Sequence, residues 1–120
     1  MGLDNYTRVV YGWKIEGSKN VEKFEKGLEK INENYYDDYF DFFVEDTMCG
    51  DYIFFGAHLV NYDVDEGGEE VINTKLINEA TDEYHKFLKD YPELDEYLNK
   101  QIGKLTTSKD AQLYVFQQIC

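Results

Sequence analysis

Between Lys30 and Lys75 there is neither lysine nor arginine, and the whole chain contains one arginine, one proline and two cysteines. The missing cations carry the most information. The 44 residues of that gap hold twelve carboxylates, whereas the rest of the sequence has 13 acidic against 12 basic side chains, so nearly all of the net charge of −13 belongs to one contiguous third. A field that local attracts basic surfaces and repels phosphates and anionic membranes. Two cysteines, Cys49 and Cys120, do not make the framework on which small secreted domains depend, and a reducing cytosol is the expected compartment. Apolar runs are short, and Met1-Gly2-Leu3-Asp4-Asn5 lacks the basic and apolar regions of a leader, so neither a membrane span nor a signal peptide is expected. Met1-Gly2 is an ordinary start rather than a myristoylation signal, because position 6 is Tyr.

Motifs that hold cofactors are missing as well. The sequence has no P-loop, no Rossmann glycine pattern, no nucleophile elbow and no zinc-binding cysteine pair. No cofactor is expected, and the chain reads as a binding protein rather than an enzyme. Arg8 as the single arginine against eleven lysines, with plentiful Asn, Tyr, Ile and Phe, is the usage of AT-rich coding DNA. It points to a low-GC bacterium or one of its phages.

Eleven Tyr and eight Phe supply ample apolar area, so 120 residues fold as a single domain spanning 1–120 despite the charge. Asn5 to Glu16 alternates as a strand, with Val9, Tyr11, Trp13 and Ile15 on the core face. Val21, Phe24, Leu28 and Ile31 recur at helical spacing, which predicts a first helix from about Lys19 to about Asn34. Tyr39 to Glu45, with Phe40, Phe42 and Val44 inward, and Tyr52 to Tyr62, with Ile53, Phe55, Ala57 and Leu59 inward, read as a hairpin about a Gly50 turn. A long helix from Asn73 ends before Pro92, a shorter one carries Leu94 and Leu98, and Leu113, Val115 and Ile119 mark a last strand. The order β-α-β-β-α-(α)-β predicts an α+β fold of the ferredoxin-like type: one four-stranded antiparallel sheet with helices on one face.

Three groups of residues are candidates for function. Asp41, Glu45, Asp46 and Asp51 surround the hairpin turn, and Asp63, Asp65, Glu66, Glu69 and Glu70 follow its second strand; together they form a candidate surface for a basic partner. Asp63 to Glu70 superficially looks like a calcium loop, but Gly67 and Thr74 stand where an EF-hand needs oxygen ligands, so a solvated acidic loop is expected. The second group is aromatic. Tyr39, Phe43, Tyr52, Phe54, Tyr114 and Phe116 fall on the second face of the sheet, which reads either as a protein interface or homodimer seam, or as a surface covered by the helix after Pro92. Base stacking is the less fitting use, because Asp41, Glu45 and Asp51 stand where phosphate-binding cations would be needed. Asp37, Asp38 and Asp41 form the third group, an alternative site for a divalent metal and an enzymatic reaction. His58 reads as a hydrogen-bonded residue of the sheet surface, and Cys49, flanked by Asp46 and Asp51, as an unreactive thiol.

Together these features imply a small acidic protein that inhibits a basic, nucleic-acid-binding partner by occupying its nucleic-acid site. In charge and size it is similar to phage-encoded antagonists of bacterial defence nucleases, including DNA mimics and anti-CRISPR proteins. On that reading it would act in the bacterial cytoplasm without touching nucleic acid or membrane. An immunity protein that neutralises a toxin nuclease would use the same electrostatics.

Overall fold

Alternation from Asn5 onward produces strand β1 (Asn5–Glu16), the central strand of an antiparallel sheet. The computed structural model describes residues 5–40, 43–45, 51–63 and 73–119, with side chains over 8–40, 51–59 and 73–116. Helix α1 (Ser18–Ile31) and the short helix α2 (Tyr35–Tyr39) follow, then β2 (Phe43–Glu45), β3 (Tyr52–Asp63), α3 (Thr74–Lys89), α4 (Pro92–Gln101) and β4 (Gln112–Ile119). β1 pairs with β3 on one side and β4 on the other, and the three residues of β2 extend the sheet beyond β3. The protein is thus α+β, with a sheet of three full-length antiparallel strands and a short segment at one edge.

Directly opposed residues of an antiparallel pair share a face. Trp13 opposite Phe55 and Ile15 opposite Ile53 therefore define the core face, and the helices lay their apolar stripes on it. Val21, Phe24 and Leu28 from α1, Tyr84 and Leu88 from α3, and Leu94 and Leu98 from α4 are buried there with Ile15, Ile53, Phe55 and Ala57. Phe55 is fully buried between two rings, stacked at 5.4 Å from Phe24 and at 5.4 Å from Trp13. Local chemistry sets the helix ends. The Asn73 side chain accepts the Leu76 N–H at 2.9 Å, and Pro92 occupies the first turn of α4, where its missing N–H costs nothing. Among the described residues, no helix is long and apolar enough to cross a membrane.

The chain departs from its local pattern in three places. Tyr39 and Phe40 were expected in a strand, yet Tyr39 closes α2, and its ring is buried edge-on to Phe87 at 6.4 Å and Tyr91 at 5.3 Å. Burying that ring between α3 and the α3–α4 junction outweighs the strand preference of an aromatic run, which depends on context. Phe43 pairs with Phe55, and Val44 with Phe54, so the backbone register assigns Phe43 a position on the core face and Val44 one on the second face. This reverses the alternation expected there. Finally, Val10 faces His58 but Val9 faces Val60, leaving Leu59 as the extra residue of a β-bulge. Leu59 therefore does not continue the Ile53, Phe55, Ala57 series; Val60 stands in the next paired position.

Gly12 and Gly56 oppose each other across β1 and β3, each facing backbone of the other strand. Gly56 has φ 142°, and a Cβ there would lie 2.6 Å from the Tyr11 carbonyl oxygen. Only glycine meets both conditions. Gly56→Ala is expected to lower stability by roughly 1–3 kcal/mol, the range for a residue forced into such a conformation, as read from the urea midpoint at unchanged m. An unaltered midpoint would show that the strands separate freely at this pair.

Candidate interaction surface

On the sheet face opposite the helices, Val10 and Phe54 form a second buried cluster, with Tyr52, Tyr114 and Phe116 packed around them. β1 and β4 supply this face through their register: Val10 lies opposite Tyr114, and Arg8 opposite Phe116. Phe54 stacks on Phe116 with ring centroids 4.0 Å apart and planes at 9°, and Tyr114 sits at 5.4 Å. The Lys14 ammonium lies 4.4 Å from the centre of the Tyr52 ring, a cation–π contact at the end of the patch. Tyr114 donates its hydroxyl to Gln112 Oε1 at 3.0 Å.

Four of the six aromatics expected on this face are found on it: Tyr52, Phe54, Tyr114 and Phe116. Tyr39 belongs to the helix-covered core, and Phe43 has a core-face register position. The expectation that the helix after Pro92 covers this face is not met, because Leu94 and Leu98 of α4 pack into the main core. Among the described residues, the second cluster is built from sheet residues alone. Its rings cover one another so well that Phe54 is only 5 % exposed, which makes it structural rather than available for contact. On β4 the exposed apolar residues belong to the other face of the sheet: Leu113, opposite Tyr11, is 43 % exposed and Val115, opposite Val9, 63 %.

The acidic candidates lie mostly beyond view. Asp41, Asp46, Asp65, Glu66, Glu69 and Glu70 are outside the described residues, as is Cys49, and for Glu45 and Asp63 only the backbone is described. Asp51 is half-buried rather than a free turn position, because its carbonyl accepts the Gly17 N–H at 2.8 Å and ties the start of β3 to the end of β1. Glu33, Asp37 and Asp38 are exposed where α1 passes into α2, and Asp38 accepts a hydrogen bond from Asn32 Nδ2 at 2.6 Å. Sequence reading gave Glu33 no role beyond its place in the lysine-free gap, although it extends the exposed acidic set.

Among the described residues the ion pairs are Lys14–Glu16, Lys26–Glu22 and Lys100–Glu96. None uses a carboxylate of the lysine-free gap. The described gap carboxylates Glu33, Asp37, Asp38 and Asp51 thus make no ion pair with a described residue. No group of three or more His, Cys, Asp or Glu among the described residues is placed to hold a metal ion. The Asp37, Asp38 and Asp41 set cannot be assembled from them, since Asp41 lies outside. His58 is half-buried opposite Val10, and His85 is exposed on α3.

Burial, and secondarily the charge of Asp95, pushes the Tyr84 phenol far above its usual range; burial also raises that of Tyr97. Both remain protonated near neutral pH and act as rings and donors, not as bases. No protein-family model, no curated protein and no solved structure matches this chain.

Proposed function

We propose that the protein is a small acidic inhibitor that binds a basic protein surface and occupies that partner's nucleic-acid site, its carboxylates standing where phosphates would lie. One observation carries the reading: Glu33, Asp37, Asp38 and Asp51, the carboxylates of the lysine-free gap whose side chains are described, make no ion pair with a described residue. A fold that needed these charges only for its own stability would pair them. Those four unpaired carboxylates, in a contiguous third that holds nearly all of the net charge, favour a field suited to steering a cationic partner. Phage-encoded antagonists of defence nucleases would use such a surface in the bacterial cytoplasm. An immunity protein against a toxin nuclease would use it too, and the identity of the partner separates the two.

The finer form of the fold belongs to this proposal. The strand order β2-β3-β1-β4 places β3 between β1 and β2, antiparallel to both, with α1 connecting the outer two. That is the arrangement of a split βαβ unit, and we take the fold to be ferredoxin-like on that basis.

The test is competitive. The partner should be captured from host lysate at 0.1 M salt and displaced by excess duplex DNA. Its association rate with the purified protein should fall steeply as the Debye length shrinks from ~10 Å at 0.1 M to ~3 Å at 1 M salt. A rate indifferent to salt, or a complex untouched by DNA, would falsify the mimicry.

A further inference from the structure

The basic side chains are few, and they are gathered. Seven of the twelve, Lys19, Lys23, Lys26, Lys30, Lys100, Lys104 and Lys109, stand on α1, near the end of α4 or in the connection that follows it. Between α1 and α4 lies a groove of about 490 Å³ bordered by Lys23, Lys26, Lys30 and Lys104, and no carboxylate lines it. In a chain with 25 acidic residues such a wall is unexpected unless it meets an anion. Positions 23, 26 and 30 recur at i, i+3 and i+7, so the three ammonium groups share one face of α1. Lys26 is held by Glu22 at 3.0 Å, whereas Lys23, Lys30 and Lys104 make no ion pair with the described residues.

A second, independent feature points into the same groove. Gln101 lines it and is only 7 % exposed, yet no hydrogen bond joins its carboxamide to any described residue. Its backbone carbonyl is occupied by the N–H groups of Lys104 and Leu105, but the side chain is left to whatever enters. The carboxamide N and O are not fully enclosed, so they open on the groove, where a ligand oxygen can accept from the amide N–H groups. The wall opposite is fixed in place: the Tyr97 hydroxyl donates to the Phe24 carbonyl at 3.0 Å, pinning the ring against Gly27. Ile31 and Leu105 give the groove an apolar margin.

We propose that the α1–α4 groove binds a compact polyanion of the class of a di- or triphosphorylated small molecule. Lys23, Lys30 and Lys104 take phosphate oxygens, Gln101 donates its amide to one of them, and the Tyr97, Ile31 and Leu105 wall accepts the uncharged body of the ligand. Size is set by the surroundings. Glu29 and Glu33 line the neighbouring surface beyond Lys30, so a long nucleic acid leaving the groove would run onto carboxylates, whereas a compact anion would not.

The site can be tested on the purified full-length protein, independently of any protein partner. Pyrophosphate and ATP are titrated by calorimetry and by amide NMR shifts at low and moderate salt, with sulfate and a 15-nucleotide single strand as comparisons. Saturable binding of pyrophosphate and ATP is expected, with shifts centred on α1 and the end of α4. Lys30→Gln with Lys104→Gln should weaken it by about tenfold or more, as expected when charge-assisted contacts are lost. Gln101→Leu should weaken it several-fold with melting little changed, because the carboxamide bonds no described residue. Lys75→Gln with Lys89→Gln, on α3, should leave it intact. No saturation, equal loss from the α3 pair, or tighter binding of the single strand than of ATP would each overturn the assignment.

Discussion

Replacing Glu33, Asp37, Asp46, Asp65 and Glu66 together by lysine is expected to weaken association with the basic partner by about a hundredfold or more, which corresponds to ~2.7 kcal/mol. Single reversals will do little, since an exposed pair contributes roughly 0–1 kcal/mol once solvation and screening are counted. Their joint effect is larger because all five act on one long-range field, and each reversal changes the net charge by two. Five reversals therefore move the chain from −13 to −3. That shift alone would slow association with any cation, so placement needs a matched control. Glu79, Asp82, Glu83, Glu93 and Asp110 are exposed on α3, on α4 and before β4, outside the gap. Reversing those five gives the same net charge and should leave most of the affinity. Surface plasmon resonance on both variants decides the matter, with melting curves as the check that neither has unfolded. Equal weakening by the two sets would mean that only total charge matters and that the gap is a solubility feature. Asp51 is left out of the variant because it is half-buried at the start of β3.

Phe54→Asp should unfold the protein, or at least lower its stability by more than ~3–5 kcal/mol, the range for truncating a buried phenylalanine, since a carboxylate must also be desolvated. The ring is 5 % exposed and stacked on Phe116, and it holds Tyr52, Tyr114 and Val10 together on a sheet face to which no described helix contributes. Val115→Asp, at 63 % exposure on the other face of the edge strand β4, should stay within about ±0.5 kcal/mol, as ordinary surface substitutions do. Chemical denaturation of the two variants makes the comparison. If Phe54→Asp folded normally and lost only self-association, the aromatic face would be an interface after all, and its tight packing an arrangement that a second molecule replaces.

Much of this molecule follows from short-range pattern. The alternation of Trp13 and Ile15 against Val10 and Lys14 assigned both faces of β1, because side-chain direction in a strand repeats every two residues regardless of what lies across from it. The same rule put Tyr52, Phe54, Tyr114 and Phe116 on one face before any pairing was known. Helices α1, α3 and α4 were visible in their apolar stripes, and the charge gap needed no structure at all. By contrast, Tyr39 lies in a helix because Phe87 and Tyr91, nearly fifty residues later, receive its ring. Leu59 is displaced by a bulge that exists only in the pairing of β3 with β1, and the position of Phe43 depends on a register that its own neighbours do not specify. Phe54 could be assigned to a face but not to a burial, since coverage comes from Phe116 across the sheet. Lys30 and Lys104 share a groove only because α1 and α4 pack side by side. Periodicity is written within each element and can be read there; contact between distant elements is decided by which of many apolar surfaces fit together, and that is a property of the folded chain alone.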